Sequence, residues 1–136
     1  MQPPSQIDHL GIAVRSIDEA SPLYRDVLGL ECEGTEVIPE QKVRVAFFTI
    51  GQTRIELVEP TADDSPIAKF LAKKGPGLHH IAYRVDDLSA TLAALKAAGV
   101  RLIHETSQDG GHSMQIAFAH PSSTNGVLTE FCQHVR

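Results

Sequence analysis

Alternating apolar and polar positions divide the chain into strand-like runs separated by a few helix-like ones. "IDHLGIAV", Ile7 to Val14, reads as the first strand. In the following "SIDEASPLYRDVLGLEC", Ser16 and Glu19 have capping-box spacing, yet a helix begun there would hold Pro22 in its interior and lose a hydrogen bond. With Ser21 as the N-cap, Pro22 takes the first helical position. The pattern therefore predicts a short turn over Ile17 to Ala20 and a helix from there to Gly29. Strands follow at "LECEGTEV", "VRVAFFTI" and "TRIELVEP", the last two joined by a tight "GQ" turn. Ser65 and Pro66 then open a helix, "PIAKFLAKK", which Gly75 ends.

After this helix the pattern restarts. "LHHIAYRVDDLSATLAALKAAGVRLI" aligns on "IDHLGIAVRSIDEASPLYRDVLGLEC" at a constant offset of 71, pairing His80 with His9, Val85 with Val14 and Leu88 with Ile17. "QIAF" keeps that offset, and the last strand, "VLTEFCQ", pairs Glu130 with Glu56 at an offset of 74. Each half is a strand, a helix and three more strands. The expected architecture is α+β: two βαβββ modules in tandem, related by a pseudo-twofold and forming a curved mixed sheet around a metal-binding cleft. Module 1 covers about residues 6–60, the connecting helix about 61–75 and module 2 about 77–133, within one domain of 136 residues.

Composition narrows the partners. Seventeen acidic residues against twelve basic ones give a net charge of −5, which argues against a nucleic-acid binder, since those need a concentrated basic face. No apolar run is long enough to cross a membrane and the start lacks a basic-then-apolar leader, so a cytoplasmic protein is expected. For a processed eukaryotic chain the mitochondrial matrix is the corresponding compartment. Cys32 and Cys132 stand alone and read as reduced thiols. No glycine loop of the nucleotide-binding kinds is present.

The repeat also carries polar residues. His9, Glu56, His80 and Glu130 occupy corresponding places in otherwise aliphatic strands, where charge is expensive unless paired. Any one of them alone would read as a satisfied strand histidine or a solvated glutamate, but independent placement does not give four in correspondence. Two imidazoles and two carboxylates form a donor set for a divalent cation such as Co, Ni, Zn, Mn or Mg, with positions left open for water or substrate. Adjacent strand residues point to opposite faces, so of the pair His79 and His80 the second faces the shared site and His79 turns away to pack. His104, His112 and His120 read as solvated loop histidines.

"IDHLGIAV", "DSPIAKFL", "GLHHIAYRVDD", "GVRLI" and "HPSSTNGVLTEF" resemble the vicinal-oxygen-chelate superfamily, and within it the methylmalonyl-CoA epimerase branch, from about Ile7 to Gln133. That resemblance implies a glyoxalase-like fold and a divalent metal ion, cobalt first, held by His9, Glu56, His80 and Glu130. It also implies a small acyl-CoA substrate and a homodimer. The implied activity interconverts (R)- and (S)-methylmalonyl-CoA by 1,1-proton transfer through a metal-stabilised enolate, the ion acting as Lewis acid and template.

Glu130 is the first choice for a proton-transferring base. Some epimerases place a glutamate where Val45 stands here, and Val45 cannot accept a proton; Glu56 is the natural replacement, with Glu40 reading as a solvated loop carboxylate. Lys42, Arg44, Lys73 and Lys74 are available for the CoA phosphates, and the Gly-rich "DGGHSM" loop could offer amides to an anion. Two alternatives stay open: a glyoxalase I-like lactoylglutathione lyase using the same four ligands, and a non-catalytic small-molecule-binding module of the same fold.

Overall fold

The repeat seen in the sequence reappears as a repeat of strand order and register. A computed structural model describes residues 1–135. Strand β1 (Gln6–Ala13) leads into helix α1 (Ile17–Pro22), and β2 (Glu31–Ile38), β3 (Val43–Ile50) and β4 (Thr53–Pro60) follow. After the connecting helix α2 (Pro66–Lys74) come β5 (Gly77–Arg84), helix α3 (Leu88–Ala97), β6 (Gln108–Asp109), β7 (Met114–Ala119) and β8 (Thr129–His134). The class is α+β, as expected. Among the described residues no helix is long and apolar enough to cross a membrane.

The chain packs as two units, one spanning His9–His79 and the other joining Met1–Asp8 to the residues from His80 onward. In the first, the strand order is β2-β3-β4-β1, antiparallel except for the parallel pair β4 with β1. In the second it is β6-β7-β8-β5, again antiparallel except for β8 with β5. Register matches as well: Glu56 lies opposite Gly11 and Phe47, and Glu130 lies opposite Ala82 and Phe118. Period-two alternation gives each sheet two apolar faces. One face of the first sheet packs Ala46, Phe48 and Leu57 with Ile17 of α1; the other packs Val43, Val45, Phe47 and Val58 with Ile67 and Leu71 of α2. In the second unit Ala117, Ala119 and Phe131 meet Leu88 and Leu92 of α3, while Ala82, Met114, Ile116 and Cys132 line the opposite face.

Two local expectations are corrected. The first helix is capped by Ser16, whose Oγ accepts the Glu19 N–H at 3.2 Å, and not by Ser21. The early start is fixed from outside the segment: Glu59 on β4 accepts the Ile17 N–H at 2.9 Å, just as Gln133 on β8 accepts the Leu88 N–H at 2.7 Å at the start of α3. Pro22 falls at the end of α1, where the helix widens into a π-helical turn over Leu23–Val27 and the Leu28 N–H reaches the Leu23 carbonyl at 2.9 Å. The second correction concerns module 2, whose counterpart of β2 is broken. A bridge from Leu102 to Ala119 and the two-residue β6 replace a full strand.

Candidate functional site

In the His9–His79 unit, β1 and β4 run parallel with His9 in register with Arg54 and Gly11 with Glu56, so the three polar side chains share one face. His9 Nδ1 lies 3.1 Å from Glu56 Oε2, with the two residues 1% and 6% exposed. In the other unit the parallel pair β5 and β8 carries His80 and Glu130 on one face, His80 Nε2 lying 3.3 Å from Glu130 Oε1, again buried. The structure thus brings His9 to Glu56 and His80 to Glu130, as matching half-sites. Each offers one nitrogen and one oxygen donor. That chemistry fits a borderline or hard divalent cation, which would also compensate the buried carboxylates. Cys132, two residues beyond Glu130, directs its Sγ to the Tyr83 carbonyl at 3.5 Å.

The surroundings of the half-sites differ. Glu56 Oε2 also accepts a hydrogen bond from Arg54 Nη2 at 2.9 Å, and the buried guanidinium lies 5.8 Å from the Phe47 ring. Beside Glu130 the neighbour in register is Phe118, which receives the His80 ring edge-on at 5.4 Å and the His104 ring at 5.8 Å. His104 is therefore not a solvated loop residue. Its Nδ1 accepts the Phe118 N–H at 3.2 Å, which leaves the proton on Nε2, and burial lowers its pKa against the opposing pull of the Glu130 charge.

His79 does pack, its ring edge against Phe70 at 5.0 Å; burial, with a smaller contribution from Lys74, lowers its pKa to about 4. His120 is also engaged, capping the one-turn Pro121–Ser123 stretch by accepting the Ser122 N–H at 3.0 Å. Val45 is 3% exposed among Val43, Val58 and the α2 residues Ile67 and Leu71. Val45 therefore adds hydrocarbon to this face and offers no proton acceptor. Glu40 is exposed in a single turn. Of the candidate phosphate contacts, Lys42 pairs with Asp64, Arg44 lies 3.9 Å from Glu59 and Lys74 stands over the Phe70 ring at 5.7 Å.

Two features escaped the sequence reading. Arg54 follows from the strand period, because residues 54 and 56 of one strand share a face. A second buried cluster had no local signal: Asp8, fully buried, accepts from Arg84 Nε and Nη2 at 3.0 and 2.8 Å and lies 2.8 Å from His134 Nε2.

Comparison with known proteins places this geometry. A family model described as the glyoxalase/bleomycin resistance protein/dioxygenase superfamily matches residues 8–118. The chain is 48% identical over 129 residues to the uncharacterized protein YqjC of Bacillus subtilis, covering 95% of this chain and 92% of that one. It is 38% identical over 129 residues to the mitochondrial methylmalonyl-CoA epimerase of Mus musculus, covering 94% of this chain and 72% of the relative. A Streptomyces coelicolor methylmalonyl-CoA epimerase variant solved in complex with 2-nitronate-propionyl-CoA shares the fold with a TM-score of 0.94 at 38% identity, over 98% of this chain and 96% of that chain. The chain belongs to the glyoxalase/bleomycin resistance protein/dioxygenase superfamily and, within it, to the methylmalonyl-CoA epimerases. It is accordingly an enzyme, an isomerase of the epimerase and racemase class.

Proposed function

We propose that this enzyme interconverts (R)- and (S)-methylmalonyl-CoA by 1,1-proton transfer, with His9, Glu56, His80 and Glu130 together holding one divalent metal ion, cobalt being the first candidate. The observation that carries this reading is the pair of buried His–Glu couples at the same register of two equivalent modules. A divalent ion held by these donors would offset the negative charge that develops on the thioester oxygen as the α-proton leaves.

The chain's own residues do the rest. His9 and His80 supply neutral nitrogen donors from β1 and β5, strands fixed in their sheets by parallel neighbours, so the donors are positioned by the backbone and not by loops. Glu130 takes the α-proton on one face, and Glu56 serves the opposite face; each must lie within hydrogen-bond reach of the reacting carbon's proton. Phe118 and Ala82, on the Glu130 face, exclude water from that base. A homodimer in the cytoplasm belongs to the same proposal, and the exposed apolar side chains of Leu23, Val27 and Leu28 support self-association.

The test is isotope exchange. Protein freed of metal and reloaded with Co2+ is incubated in deuterated water with methylmalonyl-CoA or with the methylglyoxal–glutathione hemithioacetal. Deuterium entering C2 of methylmalonyl-CoA, dependent on metal, is the expected result. Product from the hemithioacetal alone would instead make this a lactoylglutathione lyase, and no reaction with either would make it a binding module.

A further inference from the structure

Arg54 is an arginine in the middle of a buried strand, 7% exposed, and such a placement is costly unless an anion accompanies it. Its Nη2 meets Glu56 Oε2, the same oxygen that His9 Nδ1 approaches. The equivalent position in the second module, two residues before Glu130, is Leu128, which brings no charge. The duplication therefore repeats the two donors, and the cation at this strand position belongs to the first module.

We propose that Arg54 is a positioning residue that cancels the charge of Glu56 while orienting its carboxylate, so that the four donors act on a divalent ion with one effective negative charge and not two. This rests on the metal-dependent epimerase reading above. Two neutral imidazoles, two carboxylates and one guanidinium sum to one negative charge. Once a divalent cation is held, the site keeps one positive charge to set against the anion formed when the α-proton leaves. Without Arg54 the loaded site would be neutral, and the metal-free site would attract cations more strongly. Arg54 thus gives up some metal affinity in return for stabilising the charge that develops in the reaction.

The experiment compares wild type with Arg54→Met, Arg54→Lys and the double variant Arg54→Met with Glu56→Gln. Three readouts are taken: Co2+ affinity by calorimetry, melting temperature without metal, and kcat and KM for methylmalonyl-CoA. For Arg54→Met the expectation is Co2+ binding about tenfold tighter and kcat lower by about tenfold or more, with a smaller change in KM. Arg54→Lys keeps the charge and is expected to hold Co2+ affinity within about threefold of wild type and to recover most of the lost kcat.

The double variant restores one negative charge, and its Co2+ affinity and metal-free melting temperature should return toward wild type. Its turnover should not recover, because Glu56 also moves a proton. Wild-type affinity and turnover in Arg54→Met, or an Arg54→Lys no better than Arg54→Met, would overturn the inference while leaving the epimerase assignment standing. Wild-type protein that neither binds Co2+ nor exchanges the α-proton would overturn both.

Discussion

Glu56 shares one carboxylate oxygen between His9 and the guanidinium of Arg54, whereas Glu130, at the same register of the second module, faces His80 over a surface of Phe118, Ala82 and Cys132. Strand order, register and donor residues were retained through the duplication, while the imidazole nitrogen that meets the carboxylate, Nδ1 in His9 and Nε2 in His80, and the surrounding electrostatics diverged. A symmetric scaffold thus presents two chemically unequal carboxylates to what is proposed to be one reacting centre. One-base and two-base epimerisation differ in whether one group or two move the proton, and in the proposed two-base reaction the two carboxylates would not be equivalent.

The most direct way to break the comparison is to neutralise each glutamate in turn. Glu130→Gln is expected to lower α-proton exchange by about 10³-fold, and Glu56→Gln by about tenfold to 10²-fold, both followed by NMR in deuterated water. Equal losses would show that Arg54 does not distinguish the two. The phenylalanines opposite the glutamates sharpen the contrast in stability. Phe47 is 2% exposed within the α2-covered cluster, so Phe47→Ala should cost about 4 kcal/mol in urea unfolding of the metal-free protein, while the half-buried Phe118 should cost about 2 kcal/mol.

The residues preceding the two histidines, Asp8 and His79, differ as well. His79 titrates near 4 in the folded state against about 6.5 unfolded. Above pH 6.5 it is neutral in both states. As pH falls from 6.5 to 4 the unfolded chain gains a proton that the folded one refuses, so stability falls across that window, by about 2 kcal/mol at pH 5. His79→Phe, which keeps the ring contact with Phe70, should remove this component from metal-free melting curves at pH 5 relative to pH 7. The smallest effects belong to the equivalent helix caps: Ser16→Ala and Asp87→Ala should each cost about 1 kcal/mol, and a marked inequality would show that the two helices contribute differently to their modules.

Most strands, the repeat and the correspondence of His9 with His80 and of Glu56 with Glu130 were legible because alternation and a near-constant offset are local signals that the sheet obeys. The start of α1 was not, since the Ile17 N–H is satisfied by Glu59, 42 residues away, and no local rule weighs that bond. Arg54 could have been read from "TRIELVEP" by the same period-two argument used for the histidines. His104 could not: its place beside Phe118 depends on the bridge between Leu102 and Ala119, whose partners the loop sequence does not reveal.

The cluster of Asp8 with Arg84 and His134 has a consequence for how the chain acquires its structure. Asp8 and one of its partners, His134, stand 126 positions apart in the chain. Until β8 exists, that carboxylate has no complete buried environment to enter, and closing so long a loop is a slow, non-local event. A cut at the boundary between the repeats would therefore not release two finished halves. The fragment from His80 onward would lack the anion around which Arg84 and His134 assemble, and its folding should be restored by adding a peptide of residues 1–8 in trans.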